Sequence, residues 1–407
     1  YVGLPFGLAF ADKGFKVIGI DTDINRIEKI RSSKSYITDI PSRKIAEVIT
    51  KKGFQVSTDF SVLSGVDAVI ICVPTPLKRR YTPDISYILS AIRSVAKYLH
   101  KGMLVILEST TYPGTTDELI KPELEKSGLR AGQDFYVAFS PERIDPGNKN
   151  YEVTKIPKVV GGLTPACREL TALLYGKIID NVHQVSTCRA AEMTKLLENS
   201  FRIVNIGWIN EIAQMCHALN IDVWEVIDAA KTKPFGFMPF YPGLGVGGHC
   251  IPEDPLYLYW KAKLAHFSCK FIKLAADTNF NMPAYAVFRL KEMLGKSFNN
   301  SRILILGVTY KKDVKDLRKS PSLRLIELLQ KKTRVDYYDP FIPFLNLHGL
   351  DMKSIVLSPA KLKTYDAVVV AVDHSAVNYD LIHKSARLVF DIRNVYKGKI
   401  DKKIVRL

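Results

Sequence analysis

The segment Tyr241-Pro242-Gly243-Leu244-Gly245-Val246-Gly247-Gly248-His249-Cys250-Ile251-Pro252-Glu253-Asp254-Pro255 carries the densest chemistry in the chain. Its glycines let the backbone approach a ligand closely and take positive φ values. A thiol ending such a loop, with Asp254 four residues on, is placed as a nucleophile rather than as a small buried hydrophobe. Cys72, Cys167, Cys188, Cys216 and Cys269 have no such setting and read as core thiols. His249 adjoins Cys250 in sequence, which alone does not make it a general base.

A second set lies on a helical stretch from about Ala190 to Ala230, where Met193, Leu196, Leu197, Val204, Trp208 and Ile212 recur near the helical period. Glu192, Lys195, Asn199 and Arg202 follow 3-4-3 spacing and share one polar face. On a surface helix that face would simply be solvated. The length of this stretch predicts a central helix and a dimer interface instead. Lys195 and Asn199, one turn apart, could then stabilise the oxyanion formed when a thiolate adds to an aldehyde.

Alternating apolar runs and helical patterns in the first third predict a parallel α/β sheet. The expected strands are Val17–Ile20, Ala68–Val73, Leu104–Glu108 and Tyr136–Ser140. They run into turns at Asp21, Pro74-Thr75-Pro76, Ser109-Thr110 and Ser140-Pro141-Glu142, which should line one crevice beyond the carboxyl ends of the strands. Tyr1-Val2-Gly3-Leu4-Pro5 looks like the tail of a G-x-G-x-x-G turn, with Gly3 as the third glycine, packing helix on sheet. Asp21, at the end of the next strand, is placed to accept ribose hydroxyls and favours NAD over NADP. The first strand and two leading glycines are absent from this sequence, so NAD binding by these residues alone is expected to be weak.

From Ser301 the βαβ pattern restarts, with strands expected at Arg302–Leu306, Val335–Tyr338, Ala367–Val372 and Leu388–Phe390. The expected fold class is therefore α/β, with two Rossmann-like parallel-sheet domains joined by a long-helix region. The expected divisions are 1–185 for NAD, 186–296 for the helical and dimerisation region with the Cys250 loop, and 297–407 for a second, smaller domain. The 407 residues and 47% hydrophobic content suit two or three cores. No apolar run approaches the roughly 18 residues of a membrane span, and no leader marks the chain for export. Six scattered cysteines without a C-x-x-C pair argue for reduced cytoplasmic thiols, with no disulfide framework and no metal site. The net charge of +17 is dispersed, so it reads as a Lys-rich surface that attracts anionic ligands rather than as a nucleic-acid stripe.

Together these residues resemble the UDP-glucose/GDP-mannose dehydrogenase family. The runs that carry the resemblance are Tyr1-Val2-Gly3-Leu4-Pro5, Cys72-Val73-Pro74-Thr75-Pro76, Glu108-Ser109-Thr110-Thr111-Tyr112-Pro113-Gly114-Thr115, Ser140-Pro141-Glu142-Arg143, Ala191-Glu192-Met193-Thr194-Lys195-Leu196-Leu197-Glu198-Asn199, Gly247-Gly248-His249-Cys250 and Tyr310-Lys311-Lys312-Asp313 through Arg318-Lys319-Ser320-Pro321. Within the family, Ser35-Tyr36-Ile37 with Ile40-Pro41, and Lys233-Pro234-Phe235-Gly236-Phe237, resemble the branch acting on UDP-N-acetylglucosamine.

The resemblance implies two successive oxidations at C6 of a UDP-sugar, with Cys250 as a thiohemiacetal and then a thioester. It implies that Lys195 and Asn199 stabilise the oxyanion, and that Glu142, Thr110 and Asp254 manage protons and the attacking water. Gly3, Asp21, Pro74, Thr75, Thr110 and Arg318 would contact NAD. Glu142, Arg143, Lys195, Asn199, Phe235, Tyr241, Gly247 and Lys311 would contact the sugar nucleotide, whose UDP moiety the C-terminal domain would hold. A homodimer is implied, with neither nucleic acid nor membrane as partner. The rivals are UDP-glucose, UDP-GalNAc or UDP-ManNAc as substrate, a two-electron hydroxyacid dehydrogenase needing no cysteine, and a non-catalytic nucleotide-binding fragment.

Overall fold

A computed structural model describes residues 2–37, 40–51, 53–78, 81–144, 152–347 and 349–407, with the backbone alone at 296 and 297. Tyr1 of the opening motif lies outside the described residues. The chain folds into two compact units: Tyr1–Glu198 with Trp260–Ala265, and Asn199–Tyr259 with His266–Leu407.

In the first unit, β1 (Val17–Ile20) pairs in parallel with β2 (Phe54–Ser57). A separate sheet runs in the order β3 (Ala68–Ile71), β4 (Leu104–Leu107), β5 (Tyr136–Phe139), β6 (Lys158–Gly162), β7 (Val182–Val185). All its pairs are parallel except β5–β6. β4 is apolar at every position and buried throughout, as a strand covered on both faces must be. The helix Ser86–Ala96 turns Ile88, Ile92 and Val95 into the core at spacings of four and three. The Pro165–Tyr175 helix starts where the Thr164 hydroxyl accepts from Cys167 N at 3.2 Å and Pro165 fills the first turn.

The four strands expected here form, three of them ending one or two residues early. β2, β6 and β7 carried no clear signal: Phe54–Ser57 and Val182–Val185 are four residues long, and β6 opens on a lysine and closes on two glycines. The close helix–sheet approach assigned to Gly3 is made at Gly7. A Cβ at Gly7 would lie 2.7 Å from Phe54 Cε2, whereas at Gly3 the nearest atom is Cys72 Cβ at 3.7 Å, ordinary contact.

In the second unit an all-parallel sheet takes the order β14-β13-β12-β8-β9. The strands are β8 (Arg302–Leu306), β9 (Arg334–Tyr338), β12 (Ala367–Val370), β13 (Val389–Asp391) and β14 (Ile404–Arg406), with an antiparallel hairpin of β10 (Phe344–Leu347) and β11 (Leu350–Lys353). Ile303–Leu306 and Ala367–Val370 are fully buried between two apolar layers.

The long stretch predicted for 190–230 is two helices, Cys188–Ala218 and Val223–Ala230. Asn220 takes φ +57° and Ile221 N donates to Cys216 O at 2.8 Å, closing the first helix. Asp222 caps the second by accepting from Trp224 N at 2.9 Å. Residues 231–249 form neither strand nor helix, as expected, but helix resumes at Cys250 rather than after Pro255. Pro252 is tolerated there because first-turn N–H groups have no intrahelical acceptor.

The Cys188–Ala218 helix reverses the usual polarity. Glu192, Lys195 and Asn199 are buried, while Leu197, Phe201, Trp208 and Met215 are exposed. Arg202, counted with the polar face, is exposed instead. No helix among the described residues is long and apolar enough to cross a membrane.

Candidate active site

In the second unit Cys250 is the first residue of the helix Cys250–Leu264, at the end where backbone N–H groups point outward. The loop before it is shaped by backbone contacts that exclude side chains. A Cβ at Gly245 (φ +105°) would sit 2.2 Å from Asn279 O, and one at Gly247 would meet Tyr310 Cβ at 2.6 Å and Lys319 O at 2.9 Å. Gly248 N donates to Arg318 O at 2.8 Å. The loop is therefore pressed onto the 310–321 segment, which carries Lys311 and Arg318. Further back, Gly243 N donates to Asn210 Oδ1 and Asn210 Nδ2 to Asn279 Oδ1, each at 2.9 Å, in a buried amide chain.

Asp254, one turn beyond Cys250 and buried, accepts from Asn199 Nδ2 at 2.6 Å. Two residues predicted from distant segments are thus joined. Glu253, also buried, pairs with Lys319 and lies 3.4 Å from His249 Nε2. Burial pushes the His249 imidazole below its usual range despite that carboxylate. Its observed partner is structural. Glu253 and Lys319 had no role in the sequence reading, since a charge on a helix start or a turn reads as solvated.

Other predicted residues of this unit are spread more widely. Arg318 donates from Nε and Nη2 to the carboxylate of Asp316, at 2.7 Å for the shorter contact. Thr309 Oγ1 donates to Lys311 O at 2.9 Å. Tyr241 is half exposed and stacks on Trp224, and Phe235 is exposed beneath the Lys233 ammonium.

In the first unit Lys195 Nζ donates to the backbone carbonyl of Glu142. The Glu142 carboxyl is buried and accepts from Ile144 N, and its Oε2 meets no donor among the described residues. Burial raises its pKa, opposed by the nearby ammonium of Lys158. Arg143 is held by Glu198 and by Pro157 O at 2.7 Å. Glu192 is not in the chemistry-bearing set: its carboxylate accepts from Gly114 N at 2.6 Å and Thr116 N at 2.9 Å, fixing the turn after Thr110. Ser109 Oγ links the ends of β3 and β4 by accepting from Val73 N and donating to Val73 O, each at 2.8 Å. Thr110 is half-buried beside it, Thr75 is buried and Pro74 exposed.

Asp21 stands at the carboxyl end of β1, partly exposed. One oxygen accepts from Asp23 N at 2.9 Å and the other from Arg26 Nη1 at 3.1 Å. An ionised carboxylate has about four lone-pair sites, so acceptor capacity remains for ribose hydroxyls, and Asp21 fits NAD. Arg26 is engaged by Asp21 and by Asp23 at 3.4 Å, which disfavours its use for a 2′-phosphate.

Three family models match the chain in succession: the UDP-glucose/GDP-mannose dehydrogenase family NAD binding domain at residues 1–179, its central domain at 189–281 and its UDP binding domain at 304–398. The UDP-N-acetyl-D-mannosamine dehydrogenase of Pyrococcus horikoshii is 37% identical, covering 98% of this chain and 94% of its own. The UDP-N-acetyl-D-glucosamine 6-dehydrogenase of Pseudomonas aeruginosa is 36% identical over 100% and 97%. The solved P. horikoshii structure superposes with a TM-score of 0.90 at 35% identity, covering 100% of this chain and 96% of that one. The chain belongs to the UDP-glucose/GDP-mannose dehydrogenase family and is an NAD-dependent oxidoreductase acting on a nucleotide sugar.

Proposed function

We propose that the chain oxidises the C6 hydroxyl of UDP-N-acetylglucosamine to the carboxylate, holding the intermediate aldehyde on Cys250. The observation that carries this reading is the placement of Cys250 on a helix N-terminus, after a loop whose glycines admit no side chain, one turn from the buried Asp254–Asn199 pair. NAD, when bound, supplies the acceptor for both hydrides; Gly3, Asp21, Pro74, Thr75, Thr110 and Arg318 are the residues assigned to it.

The chain's own part is covalent and electrostatic. The Cys250 thiolate attacks the aldehyde carbon, forming a C–S bond while the carbonyl oxygen gains negative charge. Lys195 and the Asn199 amide stabilise that charge. Asp254 orients Asn199 by accepting one amide hydrogen, leaving the other for substrate. Once the thiohemiacetal carbon is oxidised, the thioester is reactive enough for water to attack. Glu142, with Thr110 and Asp254, takes the water proton, the C–S bond breaks and the thiolate is returned. Lys311, Arg143, Phe235, Tyr241 and Gly247 are assigned to the sugar nucleotide.

A second substrate, UDP-N-acetylmannosamine, is favoured by the 37% identity to the P. horikoshii enzyme of that name. A homodimer is supported by Phe201, Trp208, Met215 and Leu219, all about half exposed on the long helix or at its end. Six free cysteines support a cytoplasmic location. The test is stoichiometric: two NADH should form per UDP-sugar consumed, and Cys250→Ala should make no acid. Acid formation at an unchanged rate by that variant sinks the covalent route. Side-by-side assay of the gluco, manno and galacto acetamido sugars and UDP-glucose decides the substrate.

A further inference from the structure

Under the ends of β3 and β4 lies a buried polar cluster that the reaction just described does not use. Glu108, the residue after β4, is fully buried. It pairs with Lys158, the first residue of β6, and accepts from Tyr175 OH at 2.6 Å and, more weakly, from Cys72 Sγ at 3.5 Å. Lys158 is 3% exposed, so almost none of its ammonium's hydration survives. The ammonium lies over the Phe6 ring at 4.4 Å and the Tyr175 ring at 5.1 Å. Its remaining hydrogen bond goes to Pro141 O at 3.3 Å, the carbonyl immediately before Glu142.

A buried ion pair is a poor source of stability, because hydrophobic residues of the same volume serve as well or better. Its presence asks for another use, and the contact with Pro141 points to one. We propose that Lys158 is a positioning residue for Glu142, fixing its backbone through Pro141 and setting the charge of its carboxyl, with Glu108 as the counterion that tunes the strength of that field. This rests on the acid–base role given to Glu142 above. The groups acting on that carboxyl are Lys158 and Lys195 as cations, Glu108 as an anion and the Ile144 N–H as a donor, with Cys72 and Tyr175 as neutral members of the cluster. Burial raises the Glu142 pKa, Lys158 opposes this, and Glu108 adds to it.

Opposite signs make the idea testable. The Glu142 carboxyl can be titrated by infrared difference spectroscopy between the protein and its Glu142→Gln variant. Lys158→Met should move the midpoint up by about one pH unit, since a neighbouring charge shifts a carboxyl by that order. Glu108→Gln should move it down. The double variant Lys158→Met/Glu108→Gln, which leaves no unpaired charge, should be more stable than Lys158→Met and should titrate above Glu108→Gln. General structural damage would lower turnover in all three but would not displace the midpoint in opposite directions. Midpoints that stay put, or a double variant coinciding with Glu108→Gln, overturn the proposal. The acidic limb of kcat should follow the same displacements. If the midpoints move and the limb does not, the acid–base role of Glu142 fails while the positioning role of Lys158 stands.

Discussion

The two five-stranded sheets bury their charge in different places. In the N-terminal unit Glu108 and Lys158 meet beneath the strand ends among Phe6, Tyr175 and Cys72, and Lys158 reaches the Pro141 carbonyl next to Glu142. In the C-terminal unit the buried carboxylates of the sheet, Asp339 and Asp391, sit at the ends of strands and grip loops. Asp339 accepts from Val308 N at 2.8 Å and Phe341 N at 2.8 Å, and faces His374 Nε2 at 3.1 Å. His374 Nδ1 accepts from Asp313 N at 3.0 Å, so the imidazole proton is on Nε2 and points to Asp339. Asp391 likewise accepts from Arg393, Val395 and Tyr396 N–H groups. One region uses buried charge to act on another titratable group. The other uses it to hold backbone, including the segment that bears Lys311.

That contrast can be broken by unpairing each cluster. The largest effect is expected from Lys158→Met, which leaves Glu108 buried without its cation and should cost about 3 kcal/mol or more in urea unfolding. A cost below about 1 kcal/mol would show that the pair is solvated and the contrast false. His374→Ala should cost about 2 kcal/mol, the desolvation of the groups it leaves unmatched. Because it frees the 310–316 segment, it should also raise KM for the UDP-sugar while leaving KM for NAD unchanged. Equal rises in both constants would mean the segment is not a dedicated sugar-nucleotide support.

The smallest effect is one of slope. Burial raises the Glu192 pKa against the pull of its hydrogen bonds, so the folded protein holds that proton more tightly than the unfolded chain. Relative to Glu192→Gln, stability should therefore fall as pH rises above the ordinary carboxylate range. Asp339 is opposite: burial alone would raise it, but His374 and the loop N–H groups hold it below the usual range. Relative to Asp339→Asn, its contribution should be complete above the ordinary carboxylate range and lost as pH falls through the depressed value. Each unit of displacement is worth about 1.4 kcal/mol. Slopes of the same sign in the two series would end the distinction.

Much of the frame was legible without coordinates. β1, β4, β5 and β8 are apolar runs ending at Asp21, Ser109, Ser140 and Gly307, and parallel strands covered on both faces must be written that way. Cys250 stood out because its glycines leave the backbone bare, and Asn199 because a helical turn separates it from Lys195. Short strands were not legible: Phe54–Ser57 and Val182–Val185 hold four residues each, too few for a period to emerge. The break at Asn220 was missed because apolar spacing continues across it, and only the positive φ ends the helix.

By itself, then, the sequence determined the order of elements and the residue types at the strand ends, since periodicity and turn chemistry are local properties. Tertiary structure alone decided that Glu192, Lys195 and Asn199 of the long helix are buried while Arg202 is exposed, that Gly7 rather than Gly3 is where helix meets sheet, and that Lys158 and Glu108 face each other. Those outcomes depend on what covers a surface. A lysine at the head of a strand and a glutamate at the foot of another, fifty positions apart in sequence, look like two solvated ends until the fold removes the water between them.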